Sequence, residues 1–162
     1  MPHRPTRRTV IVSMASLAVL PALPAFAANN FEVAMLNKDP DDKKKRNIFK
    51  PLIQVVEPGD TVKFVAESKG HNSASIKGML PEGVEEWNGK IGKDIEVTFE
   101  TPGVYGYKCT PHLALGMAGL IIVKGEGVEA NYEAAKEVKQ RGKAKKVFKA
   151  IWEQVEAENL LS

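Results

Sequence analysis

Seven short apolar runs, several of them parted by glycine- or proline-bearing turns, leave this chain few folds to choose from. FEVAML (31–36), LIQVVE (52–57), TVKFVAE (61–67), HNSASI (71–76), DIEVTFE (94–100), VYGYKC (104–109) and AGLIIVK (118–124) are each the length of a strand. EPGD at 57–60, SKG at 68–70 and TPG at 101–103 supply the turn residues between them. In TVKFVAE the period of two puts Val62, Phe64 and Ala66 on one inward face. Short strands at this spacing predict an all-β antiparallel sandwich. The segment 78–93, GMLPEGVEEWNGKIGK, reads as an irregular crossover.

After Lys124 the character changes. GVEANYEAAKEVKQ and KAKKVFKAIWEQVEAENLL read as two helices parted by Gly142. The second sets Ala144, Val147, Phe148, Ile151, Trp152 and Val155 on one stripe. Its polar face mixes Lys and Glu, which favours packing on the sandwich over a partner helix or a membrane. GEGVEA at 125–130 matches a dinucleotide fingerprint, but only helices follow, and that site needs a further parallel strand. KKKR at 43–46, behind DPDD, reads as a solvated loop between two strands.

The first 27 residues read as a secretory signal: MPHRPTRR is basic, TVIVSMASLAVLPALPAFA is apolar and ends on small residues. Pro21 and Pro24 argue against a membrane anchor, so no membrane insertion is expected after its removal. Arg7 and Arg8 resemble a twin-arginine signal, but the residues after them fit it poorly. Removal takes away Arg4, Arg7 and Arg8 and leaves basic and acidic residues in balance, which gives no footprint for nucleic acid. About 135 remaining residues suit one domain with one core.

An exported chain with one cysteine cannot form an internal disulfide. Cys109 is therefore an inert core residue, an intermolecular link, a nucleophile or a metal thiolate. His112 follows it by three residues and Met117 by eight, in YGYKCTPHLALGMAG, between two expected strands. Outside the leader the only other histidine is His71, after the turn in KGHNSAS. Thiolate, imidazole and thioether together favour copper, and two imidazoles, a thiolate and a long axial methionine are the blue-copper set. Met79 and Met35 are alternative axial donors. A methionine is a poor reason to choose zinc. A Cys–His catalytic pair needs an orienting third group, haem attachment needs C-x-x-C-H, and a copper oxidase needs more histidines.

The stretch PGVYGYKCTPHLALGMAG, with KGHNSASIKGMLPEG upstream and FEVAMLNK near the start of the mature chain, resembles the pseudoazurins, small cupredoxins of the bacterial periplasm. The resemblance covers the whole mature chain and includes the helical tail of about 35 residues, which plastocyanins with the same Cys–His–Met spacing lack. It implies a signal at 1–27, a Greek-key β-sandwich of eight strands with the copper domain at 28–125, and two α-helices at 126–162. It implies one type 1 copper ion held by His71, Cys109, His112 and Met117. Asn72 would donate its backbone N–H to the Cys109 sulfur, Asn37 would pin the ligand loops, and Pro111 would shape the loop beside His112. The activity implied is not enzymatic: a monomeric periplasmic carrier of single electrons to reductases such as copper nitrite reductase. The alternative is a copper-binding or delivery module without redox duty. This chain departs from the family in a long, charged 38–48 loop, in Ala34 where His is usual, and in Asn47 where an apolar residue is usual.

Lys38, Lys69, Lys77 and Lys108 flank the ligand segments, and an apolar stretch with Pro111, Leu113, Ala114 and Leu115 surrounds His112. Met79 and Pro81 are expected to join that apolar patch. A basic ring around it predicts brief complexes with redox proteins bearing acidic docking surfaces, nitrite reductase or c-type cytochromes among them.

Overall fold

The computed structural model describes residues 28–162. The signal expected over 1–27 lies outside them. Among the described residues eight strands form two sheets: β1 (Asn30–Lys38), β2 (Arg46–Lys50), β3 (Ile53–Val56), β4 (Asp60–Val65), β5 (Ala74–Ser75), β6 (Ile95–Phe99), β7 (Gly103–Lys108) and β8 (Ala118–Val123). One sheet has the order β2-β1-β4-β6 and the other β3-β8-β7-β5. A 3-10 helix, Thr110–Leu115, lies between β7 and β8, and two helices close the chain: α1 (Tyr132–Glu137) and α2 (Ala144–Ala157).

The sandwich is mixed rather than antiparallel throughout. β1 runs parallel to β4, and β3 parallel to β8. The cause is a corner at Pro51, a residue that has no N–H for a ladder. The chain leaves β2 there and enters the opposite sheet as β3. The turn at Glu57–Asp60 then sends it back as β4, beside β1 and in the same direction. Asp60 fastens that turn: its buried carboxylate accepts from the backbone of Asn29 and Glu57, at 2.7 and 2.8 Å.

β2 itself lies where the sequence indicates only a charged loop. The loop proper is short, because Asp39 and Asp42 accept from the amides of Asp41 and Lys44, two residues on, at 3.0 Å each. Lys50 then pairs with Asp39 at 3.0 Å and with Asp41. Asn47 has φ of +52°, a left-handed conformation that asparagine tolerates better than the apolar residue expected there. HNSASI contains only the two-residue β5, and the first helix is limited to six residues. In both places side-chain hydrogen bonds and turns replace the expected ladder or helix.

β7 and β8 are buried on both faces, which is why their sequences lack polar alternation. Tyr105, Tyr107, Ile121 and Val123 face Val33, Phe49, Phe64 and Phe99 inside the sandwich. Val104, Leu120 and Ile122 face outward and are covered by Phe148, Ile151 and Val155 of α2. Each such large side chain contributes about 1.5–3 kcal/mol when fully buried. The predicted α2 stripe is therefore its packed face, with Val147 and Trp152 half-buried at the margins. Cys109 and Met117 close one end of the inner core.

Candidate metal centre

The β7–β8 ladder ends at Lys108↔Ala118, and the chain beyond it must reverse over Cys109–Met117. It does so as a closed loop. Cys109 N–H donates to Met117 O at 3.0 Å, His112 N–H to Cys109 O at 3.1 Å, and Met117 N–H to His112 O at 3.1 Å. Pro111 stands at the start of the 3-10 helix, where a missing N–H costs nothing. Gly116 ends it with φ of +96°. Cys109 and Met117 are fully buried at the base, and His112 is half-buried on the helix between them.

His71 approaches from the other side. Residues 71–76 are all buried, and the segment 87–92 pairs with them: Gly89 N–H donates to Ser73 O at 2.8 Å and Gly92 N–H to His71 O at 2.7 Å. Asn72 joins this segment to the ligand loop. Its Oδ1 accepts from Thr110 N–H at 2.8 Å, while Nδ2 donates to Gly89 O at 2.9 Å and Thr110 Oγ1 at 3.2 Å. The resemblance implies a backbone role for Asn72 only. Its side-chain partners lie 17 and 38 residues away, and no local pattern marks them.

The result is a tight three-residue cluster. His71 Nδ1 and His112 Nδ1 are 3.0 Å apart, and Cys109 Sγ lies 3.7 and 3.4 Å from them. One donor atom from each falls within 4.8 Å of the others. His71 Nε2 is 2.8 Å from Asn37 Oδ1, an oxygen that can only accept. His71 therefore carries its proton on Nε2 and turns the Nδ1 lone pair toward the cysteine. Burial, then the neighbouring His112, lowers the pKa of His71 and keeps it neutral. Burial raises the pKa of Cys109, opposed by backbone N–H groups of Asn72 and His112 directed at the sulfur. Without a cation Cys109 stays a thiol, and a metal must displace that proton to bind. Two inward imidazole nitrogens and a thiol in an apolar cage form a donor set that fits a soft to borderline metal such as copper.

A family model, copper binding proteins of the plastocyanin/azurin family, matches residues 40–124. A pseudoazurin of Paracoccus pantotrophus is 44% identical over 134 residues, covering 83% of this chain and 88% of that protein. The chain belongs to the pseudoazurin family. Solved pseudoazurins superpose on it: that of Sinorhizobium meliloti at a TM-score of 0.73 and 46% identity, covering 79% of this chain and 97% of that one. That of Methylobacterium extorquens AM1 gives 0.72 and 36%, covering 78% and 98%. The fold is thus the cupredoxin fold, the cofactor is copper, and His71, Cys109 and His112 are grouped as in a type 1 site.

Not every residue singled out from the sequence is at this pseudoazurin-type site. Met79 is fully buried in the outer core, where Gly106 leaves room for it, and Pro81 is buried against Gly103. Neither belongs to a surface patch. Met35 is an inner-core residue of β1. Leu115 is 50% exposed, but Leu113 is half-buried and packs toward the helices. Lys38, Lys69 and Lys77 are exposed, and Lys108 is half-buried at the end of β7. No described helix is long and apolar enough to cross a membrane.

Proposed function

We propose that this chain is a monomeric periplasmic carrier that passes single electrons between redox proteins and is not itself an enzyme. The observation that carries the reading is the position of His112: its ring reaches the buried Cys109 and His71, yet it is the member of the cluster that is not fully buried. His71, Cys109, His112 and Met117 would hold the metal, the thioether being the weakest donor of the four. Copper held there supplies a one-electron couple.

The chain's residues do the rest. Asn72 ties the His71 segment to the ligand loop and Asn37 holds the His71 ring from β1, so little rearrangement accompanies a change of charge. Burial of Cys109, His71 and Met117 excludes water and favours retention of the metal over delivery. His112 and the exposed Leu115 make a small apolar contact, and the exposed Lys38, Lys69 and Lys77, with Lys108, would steer an acidic partner to it. Reductases with acidic surfaces, copper nitrite reductase among them, fit that description, as do c-type cytochromes. The signal read at 1–27 supports export.

The test is stopped-flow reduction and reoxidation of the copper-loaded protein, followed at its visible absorption. An intense blue that bleaches and returns with such a reductase supports the carrier. A colourless complex that hands copper to a chelator sinks it and favours delivery.

A further inference from the structure

The base of the ligand loop is held by the β7–β8 ladder and its near end by Asn72. Its far end meets a different part of the chain. Lys143 N–H, at the start of α2, donates to Ala114 O at 2.9 Å. Gly142 immediately precedes it with φ of +58°, and a Cβ there would stand 2.6 Å from the same oxygen. Only glycine fits this approach. Two residues beyond Ala114, a Cβ at Gly116 would meet Val147 Cγ2 at 3.1 Å and Lys143 Cβ at 3.3 Å, so α2 lies directly against the turn that leads into Met117. The connector before α2 is anchored in turn, with Gln140 Nε2 placed 3.3 Å from the buried Met79 sulfur.

We infer that the Gly142–Lys143 turn and Val147 of α2 are positioning residues for the metal centre: they splint Ala114 and Gly116, and through them fix the spacing of His112 and Met117. The inference rests on the reading that this loop carries ligands. It gives the C-terminal helices a role beyond covering the outer core. The loop apex is otherwise poorly tethered, since Ala114 and Leu115 are exposed. An exposed six-residue 3-10 helix has weak internal hydrogen bonding of its own. A contact at its far end therefore sets how widely His112 and Met117 can move relative to Cys109.

The experiment compares Gly142→Ala with Gly127→Ala. Gly127 is also left-handed, with φ of +85°, but has nothing within 4 Å of the added methyl. Both variants incur similar backbone strain; only one disturbs the loop. In the metal-free protein, amide exchange at Leu113–Met117 should be about ten-fold faster in Gly142→Ala, equivalent to about 1.4 kcal/mol of local opening. Gly127→Ala should leave those amides at the wild-type rate. Val147→Ala, which keeps the backbone bond and trims the side chain lying against Gly116 at the margin of the packed α2 face, should raise exchange at the same amides by less. After copper loading, Gly142→Ala and Val147→Ala should shift the reduction potential and the relative intensity of the visible bands, and Gly127→Ala should change neither. Wild-type exchange at the loop in Val147→Ala and in any folded Gly142→Ala overturns the splint, as does an equal response to the two glycine substitutions. A colourless wild-type copper complex would sink the proposed carrier and leave the metal-free exchange comparison to decide the splint.

Discussion

The two segments that meet at the metal centre are built in opposite ways. Residues 71–76 are buried without interruption, and away from the cluster His71 is held by Asn37 Oδ1 at its ring and by the amide of Gly92 at its carbonyl. Residues 110–116 are exposed or half-exposed, and they depend on a 3-10 helix and on contacts at its two ends. The first segment can set geometry because it has nowhere to move. The second can present an imidazole to another protein because part of it is uncovered. An electron carrier needs both properties at one ion, and dividing them between two segments avoids the conflict.

Cys109 belongs to both sides, and its loss should have the largest effect. Cys109→Ala should abolish the visible colour of the copper-loaded protein while the sandwich still folds, since only a small core side chain is shortened. Absorption and circular dichroism on one sample check it. A blue Cys109→Ala protein would end the type 1 assignment.

On the buried side, Asn37→Ala should lower copper affinity about 10–100-fold, the range for removing a group that orients a ligating histidine. Competition against a chelator measures it. The salt dependence of electron transfer should stay as in wild type, because Asn37 acts on His71 and not on the contact surface. A changed salt slope with unchanged affinity would reverse the division proposed between the segments.

Met117 tests the base of the exposed loop. Met117→Leu should leave a blue centre with a raised reduction potential, because loss of a thioether donor would disfavour the more oxidised ion. Voltammetry decides the matter. An unchanged potential removes Met117 from the coordination sphere, and Met79, fully buried in the outer core, is no longer a candidate to replace it.

Which parts of this could be read from the chain follows from where the information sits. The Cys109–Met117 loop is local, so its spacing shows in the sequence. His71 stands out by elimination, as the one other histidine outside the leader. β7, β8 and the α2 stripe were legible because continuous burial or a helical period marks them. β2 was not, because RNIFK follows a run of lysines whose charge hid a strand that Phe49 anchors in the core. The parallel pairings were hidden as well, since they depend on the sheet switch at Pro51, a relation between strands. Asn72 illustrates the same limit within the site: its partners Gly89 and Thr110 are brought to it only by the completed fold.

The smallest effect is expected at the rim. Lys69 is exposed two residues before the buried His71, so it carries charge close to the centre without taking part in its geometry. Lys69→Glu should leave colour, potential and copper affinity as in wild type. It should slow association with an acidic redox partner at low ionic strength, because rim charges act mainly on encounter. The difference should fade as salt is raised and the Debye length falls to about 8 Å near 0.15 M. Second-order rate constants across a salt series give the measurement. A reversed charge that leaves both rate and slope untouched would remove Lys69 from the docking face and direct attention to the exposed lysines of the 43–45 turn. A changed potential in the same variant would be more damaging, since it would mean that the two segments are not separable in the way their burial indicates.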